Sequence, residues 1–151
     1  MFIRTLVATT ILAGLAFTAQ AEDTITVYTS QPQDQMTQVI EAFNAGTAPA
    51  PYNKVGFGGM KIEPVYVDEN GGATKQVQEL KTLYDREKVD AVLGYVSSGD
   101  CLAVAPAAEE MKKFLILYDC GTPRIFEDGK YNYVFRTASH GTMDNVALAR
   151  Y

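Results

Sequence analysis

Lys88-Val89-Asp90-Ala91-Val92-Leu93-Gly94-Tyr95-Val96-Ser97-Ser98-Gly99-Asp100 is the stretch on which the fold turns. From Asp90 to Val96 it is apolar nearly throughout. A strand with one wet face alternates polar and apolar residues. This one does not, so it reads as a central parallel strand covered on both faces. Ser97-Ser98-Gly99-Asp100 then turns it into another helix.

The same alternation of strand and helix extends outward in both directions. Upstream, Ile25-Thr26-Val27-Tyr28 is short, β-branched and aromatic, and ends at Thr29-Ser30-Gln31-Pro32. Gln33 to Ala45 carries Met36, Val39, Ile40 and Phe43 at helical spacing, one apolar stripe. A Gly-, Pro- and Ala-rich loop runs from Gly46 to Gly59, and Lys61 to Asp68 is a second strand. Asn70-Gly71-Gly72 breaks it, Thr74 offers an N-cap, and Val77, Leu80 and Tyr84 form the apolar face of the next helix.

Downstream, Pro106 reads as the first position of a regular helix, where its missing N–H costs nothing. Phe114 to Leu117 is a fourth strand, Tyr133 to Thr137 a fifth, and Met143 to Tyr151 starts a last helix. Parallel strands need crossovers, so the pattern predicts an α/β fold. Its sheet is open, parallel and five-stranded, flanked by helices, flavodoxin-like in order 2-1-3-4-5. Ligands in such sheets bind at the carboxyl ends of the strands near the switch in strand order. Three polar strand ends therefore stand out: Thr29-Ser30, Ser97-Ser98 and Asp119 to Thr122.

The N-terminus reads as an export signal over residues 1–21. Arg4 precedes the apolar run Leu6 to Phe17, and Ala19-Gln20-Ala21 gives the small-x-small cleavage pattern. The alternative is an N-terminal membrane anchor, for which the run is short. Residues 22–151 then form a single α/β lobe, and the expected location is periplasmic. A formal net charge of −5 and the lack of a basic stripe argue against nucleic acid and anionic membranes.

Cys101 and Cys120 are the two cysteines. In an oxidising compartment a bridge between them is one reading, and two buried free thiols is the other. With one histidine and no Cys-x-x-Cys spacing, neither a metal nor another cofactor is expected.

Ser97-Ser98-Gly99 suits an anion, because hydroxyls and free N–H groups converge at a helix N-terminus; plain N-capping explains the same residues. Asp119-Cys120-Gly121-Thr122-Pro123 offers carbonyls and a hydroxyl to an ammonium group, or is a turn shaped by Gly and Pro. His140, the one histidine, follows the fifth strand and reads as a polar turn residue. Asp68-Glu69 and Glu109-Glu110 read as solvated charges. Gly56-Phe57-Gly58-Gly59 fails the phosphate-loop test and no Gly-x-Ser-x-Gly elbow occurs, so no enzyme is expected.

From Lys61 onward the chain resembles the periplasmic solute-binding proteins of ABC importers for branched-chain amino acids and related amides. The carrying residues are Lys61-Ile62-Glu63 with Val67-Asp68, then Lys88 to Gly94 with Ser97-Ser98. Ala103-Val104-Ala105-Pro106, Ala108-Glu109-Glu110 and Phe135-Arg136-Thr137 continue the likeness. The resemblance implies the N-terminal lobe of a type I binding protein, one of two that clamp an amino acid by its α-carboxylate and α-ammonium. It makes Ser98 the carboxylate-binding serine with Val96 and Ser97 beside it, and puts Asp119, with Cys120 next to it, where the family offers a backbone carbonyl to the ammonium. Gly121 stands where leucine-type binders often carry Thr, for which Thr122 is a substitute, and Tyr52 resembles an aromatic lining the cleft.

Residues 22–45 look more like the start of a ferric-ion or phosphonate-type binding protein, as in a chimera. The chain stops where the family crosses into a second lobe. The expectation is a truncated lobe with weak or no binding, which meets importer membrane subunits if intact. The alternative is a natural or engineered fragment that folds and pairs through its bare cleft face without a transport role.

Overall fold

The structure, a computed structural model, describes residues 24–29 and 33–151. The export signal read over residues 1–21 and the Ser30 strand end lie outside them. Strand and helix alternate as β1 (Thr24–Thr29), α1 (Gln33–Ala45), β2 (Lys61–Tyr66), α2 (Gly72–Asp85), β3 (Ala91–Gly94), α3 (Ser98–Met111), β4 (Leu115–Leu117), α4 (Arg124–Asp128), β5 (Val134–Arg136) and α5 (Gly141–Ala149). All four strand pairings are parallel, in the expected order β2-β1-β3-β4-β5.

The chain leaves β1 toward β2 and then crosses back to β3, so the direction of travel reverses once. With right-handed crossovers that reversal puts α1 on one face and α2, α3 and α4 on the other. On the latter face Leu80, Leu83 and Tyr84 of α2 pack with Cys101, Val104, Ala105 and Ala108 of α3 over Val92, Leu115, Leu117 and Val134. Each fully buried Leu or Val contributes roughly 1.5–3 kcal/mol. The Tyr84 hydroxyl donates to the Phe114 carbonyl, and burial pushes its pKa far above the ordinary phenol value.

The edge strand β2 is closed by a side chain. Asn44 of α1 accepts from the Ile62 N–H at 2.7 Å and donates Nδ2 to the Ile62 carbonyl at 2.8 Å. Ile62 thus faces outward, and Pro64, two residues on, faces the same way. Its missing N–H therefore costs no ladder bond. In the preceding loop Gly56 is obligatory: its φ is 51°, and a Cβ there would stand 1.8 Å from the Met60 carbonyl oxygen.

Three local expectations need correction. β3 ends at Gly94, two residues short of Val96, because Tyr95 takes a left-handed φ of 69°. Thr74 does not cap α2; Gly71 does, with φ 116°, a region open to a residue without Cβ. Helix α3 begins at Ser98, not Pro106, which lies inside it. Proline forfeits one helical hydrogen bond, yet the fully buried Val104, Ala105 and Ala108 hold the helix together on both sides of it. The short helix α4 carries no sequence signal.

Candidate ligand-binding site

β3, β4 and β5 release the chain at one edge of the sheet, and their loops are laced to one another. The Tyr118 N–H donates to the Gly94 carbonyl at 2.9 Å, and the Asp119 N–H to the Tyr95 carbonyl at 3.3 Å. The Gly141 N–H donates to the Gly121 carbonyl at 2.9 Å. Cys101 and Cys120 form a disulfide, with Cα atoms 6.3 Å apart, between the first turn of α3 and the loop after β4. Both cysteines are fully buried.

The loop after β3 presents donors. Ser97 is the N-cap of α3: its Oγ accepts from the Asp100 N–H at 3.4 Å, and its carbonyl accepts from Cys101 at 2.9 Å. The capping reading thus holds for Ser97, while Ser98 is the first helical residue. Among the described residues the N–H groups of Ser97, Ser98 and Gly99 meet no acceptor. They point out of the positive end of a fourteen-residue helix, a setting that favours an anion.

The loop after β4 presents acceptors, most of them already used. Arg136 of β5 donates Nη1 to the carbonyls of Thr122 at 2.8 Å and Cys120 at 3.4 Å. Gly121 is taken by Gly141, which leaves Asp119 with no donor on its carbonyl among the described residues. An open groove of about 360 Å³, lined by Tyr118, Asp119, Thr137 and Ala138, lies beside it. Arg136 also stacks over the Phe126 ring at 5.3 Å, which fixes its direction.

The structure therefore gathers Val96, Ser97, Ser98, Asp119, Cys120, Gly121 and Thr122 at one end of the sheet. Tyr52 is not with them. It lies, 64 % exposed, in the loop that feeds Lys61, and Lys61 pairs with Thr24 at the start of β1. That is the amino end of the sheet, opposite the candidate site, because α1 carries the chain back before the loop begins. His140 is the N-cap of α5, with Nδ1 buried and without a hydrogen-bond partner among the described residues. No three of His, Cys, Asp and Glu converge as metal ligands among the described residues.

Two glutamates taken as solvated charges are engaged. The Glu69 carboxylate accepts from the backbone N–H of Tyr95 and, at 3.1 Å, of Val96. The Glu109 carboxylate accepts from the N–H groups of Asn132 and Tyr133, each at 2.9 Å, and from Asn132 Nδ2 at 2.8 Å. Glu69 closely follows β2, whose carboxyl end lies at the same edge as that of β3. An acid just after a strand in a parallel sheet was the available signal.

The family model described as periplasmic binding protein matches residues 18–151. Residues 22–45, for which the sequence suggested another binding-protein class, lie inside the matched span. An ABC-type branched-chain amino acid transporter from Rhodopseudomonas palustris shares 26% identity over 82% of this chain, with TM-score 0.59. A solute-binding protein from another R. palustris strain, in complex with p-hydroxybenzoic acid, shares 24% identity over 85% of the chain, TM-score 0.64. An ABC transporter substrate-binding protein from Desulfitobacterium hafniense, in complex with Leu, shares 20% over 87%, TM-score 0.68. The last two likenesses are of fold. The chain spans 34%, 34% and 38% of those chains, roughly a third of each. No curated protein matches the chain in sequence.

Proposed function

We infer the function from one premise, that the chain belongs to the periplasmic binding protein family: it is a lobe of the solute-binding component of an ABC-type importer, for an amino acid or related small amide. Residues 1–21 export it to the periplasm, where the complete binding protein delivers its ligand to the importer's membrane subunits. The observation that carries the reading is the opposed polarity of two adjoining loops. Among the described residues, Ser97, Ser98 and Gly99 offer unpaired N–H groups at a helix N-terminus, and Asp119 offers a carbonyl across the disulfide. A carboxylate suits the first and an ammonium the second.

Tested as these 151 residues, the lobe supplies one wall of a cleft. Closure of a second wall is what desolvates a ligand in such proteins. Leucine is expected to bind weakly, in the millimolar range. The test is NMR titration of the ¹⁵N-labelled chain with leucine and, separately, with 4-hydroxybenzoate. Leucine should move the Ser98 and Gly121 amides together. 4-Hydroxybenzoate has a carboxylate and no ammonium, and should move Ser98 alone. A Ser98 amide indifferent to both ligands overturns the site, and micromolar leucine binding in calorimetry overturns the one-wall argument.

A second reading, self-association without transport, is favoured by one observation. Phe114 and Tyr133, just before β4 and β5, and Phe135 within β5 lie 42%, 37% and 48% exposed, with the Phe114 and Phe135 rings 5.3 Å apart, and α5 buries none of its residues. Contiguous apolar surface of this kind marks an interaction face. Light scattering that gives a monomer at high concentration disposes of this reading.

A further inference from the structure

We propose that Glu69 is the positioning residue of the anion-binding turn. It claims the N–H groups of Tyr95 and Val96, so that those of Ser97, Ser98 and Gly99 are left to a ligand carboxylate. The inference rests on the binding site proposed above. Tyr95 is the pivot: its φ of 69° lies in the left-handed region that bulky residues rarely occupy. Its ring is 1% exposed, so the turn cannot relax by swinging the side chain into water.

Two successive N–H groups in such a turn make a concavity for an anion. Here the protein's own carboxylate fills it, with the Tyr95 N–H on one oxygen and the Val96 N–H on the other. A ligand carboxylate is thereby turned away from the strand end and toward the first turn of α3. Glutamine cannot replace this arrangement. It has one acceptor oxygen, and its amide NH₂ would face the second N–H.

The experiment compares the wild-type chain with Glu69→Gln by amide hydrogen exchange and by leucine titration, both read by NMR. Exchange at Tyr95 and Val96 should quicken by about tenfold or more as the turn opens locally, while Leu115 in the core stays protected. The leucine-induced shift at Ser98 should be lost. Unchanged exchange at Val96, or a loosened turn that keeps the Ser98 response, overturns the proposal. A wild-type Ser98 amide that ignores leucine overturns the binding site itself, and this inference with it. Should Glu69→Gln unfold, Glu69→Asp carries the same comparison. One methylene shorter, it cannot reach both N–H groups, and a smaller rise at the same two amides is expected.

Discussion

Glu109 holds the start of β5 to α3 through three hydrogen bonds to one carboxylate, two of them from backbone N–H groups. The Tyr133 N–H above all, aided by Asn132, holds its pKa below the ordinary value of 4.5. A carboxyl whose folded pKa is depressed contributes stability that is fully present above the unfolded value. That stability is lost as pH falls through the folded value. Unfolding measured from neutral pH downward should therefore show Glu109→Gln less stable than wild type near pH 7. The gap should close below about pH 4.5, and a gap constant with pH would refute the assignment. Gly121 is the other telling residue. A Cβ there meets nothing within 4 Å and its φ is not left-handed, so Gly121→Thr should fold normally. The added hydroxyl should strengthen the leucine response at Ser98 in an NMR titration; unchanged binding would remove Gly121 from the site. The roles of Glu109 and Glu69 were not legible in sequence. Which N–H a carboxylate meets depends on strands brought together from elsewhere: Glu109 is 23 residues from Asn132, and Glu69 is 26 from Tyr95.

At the scale of elements, periodicity was informative and boundaries were not. The Met36, Val39, Ile40 and Phe43 stripe predicts α1, and the unbroken apolar run after Asp90 predicts a strand covered on both faces. What the run did not show is that Tyr95 turns left-handed with its side chain buried, an outcome of tertiary packing. Pro106 shows local propensity losing to packing. Alone it argues for a helix start; in the fold it sits on an exposed position between the fully buried Ala105 and Ala108. It follows that Pro106→Ala restores a backbone hydrogen bond without opening a cavity. The change should raise the unfolding free energy by about 1–2 kcal/mol in urea titrations, less than the ~3 kcal/mol of an unconstrained helix because proline also stiffens the unfolded chain. A loss of stability would mean that the ring packs against something essential.

For the molecule as a whole, the two halves of the candidate site belong to separate βα units and are joined by the Cys101–Cys120 bridge. With a sequence separation of 19, the bridge is worth about 3 kcal/mol in the chain-entropy description. Replacing both cysteines by serine should lower the urea-unfolding free energy by about that amount, with the loops after β3 and β4 gaining amide exchange before the sheet does. A change near zero would show that the hydrogen bonds between these loops already suffice.

The amino-acid sequence by itself determined the alternation of strands and helices, and the parallel sheet and its order. These follow from periods of hydrophobicity and from the rule that parallel strands need crossovers, and both are local or topological. Tertiary structure alone decided the rest. It formed the disulfide, sent Tyr52 to the far end of the sheet, and turned Glu69 and Glu109 from surface charges into clamps on backbone N–H groups. Those outcomes depend on which atoms of distant segments come within 3 Å of one another, a property of packing that no spacing along the chain encodes.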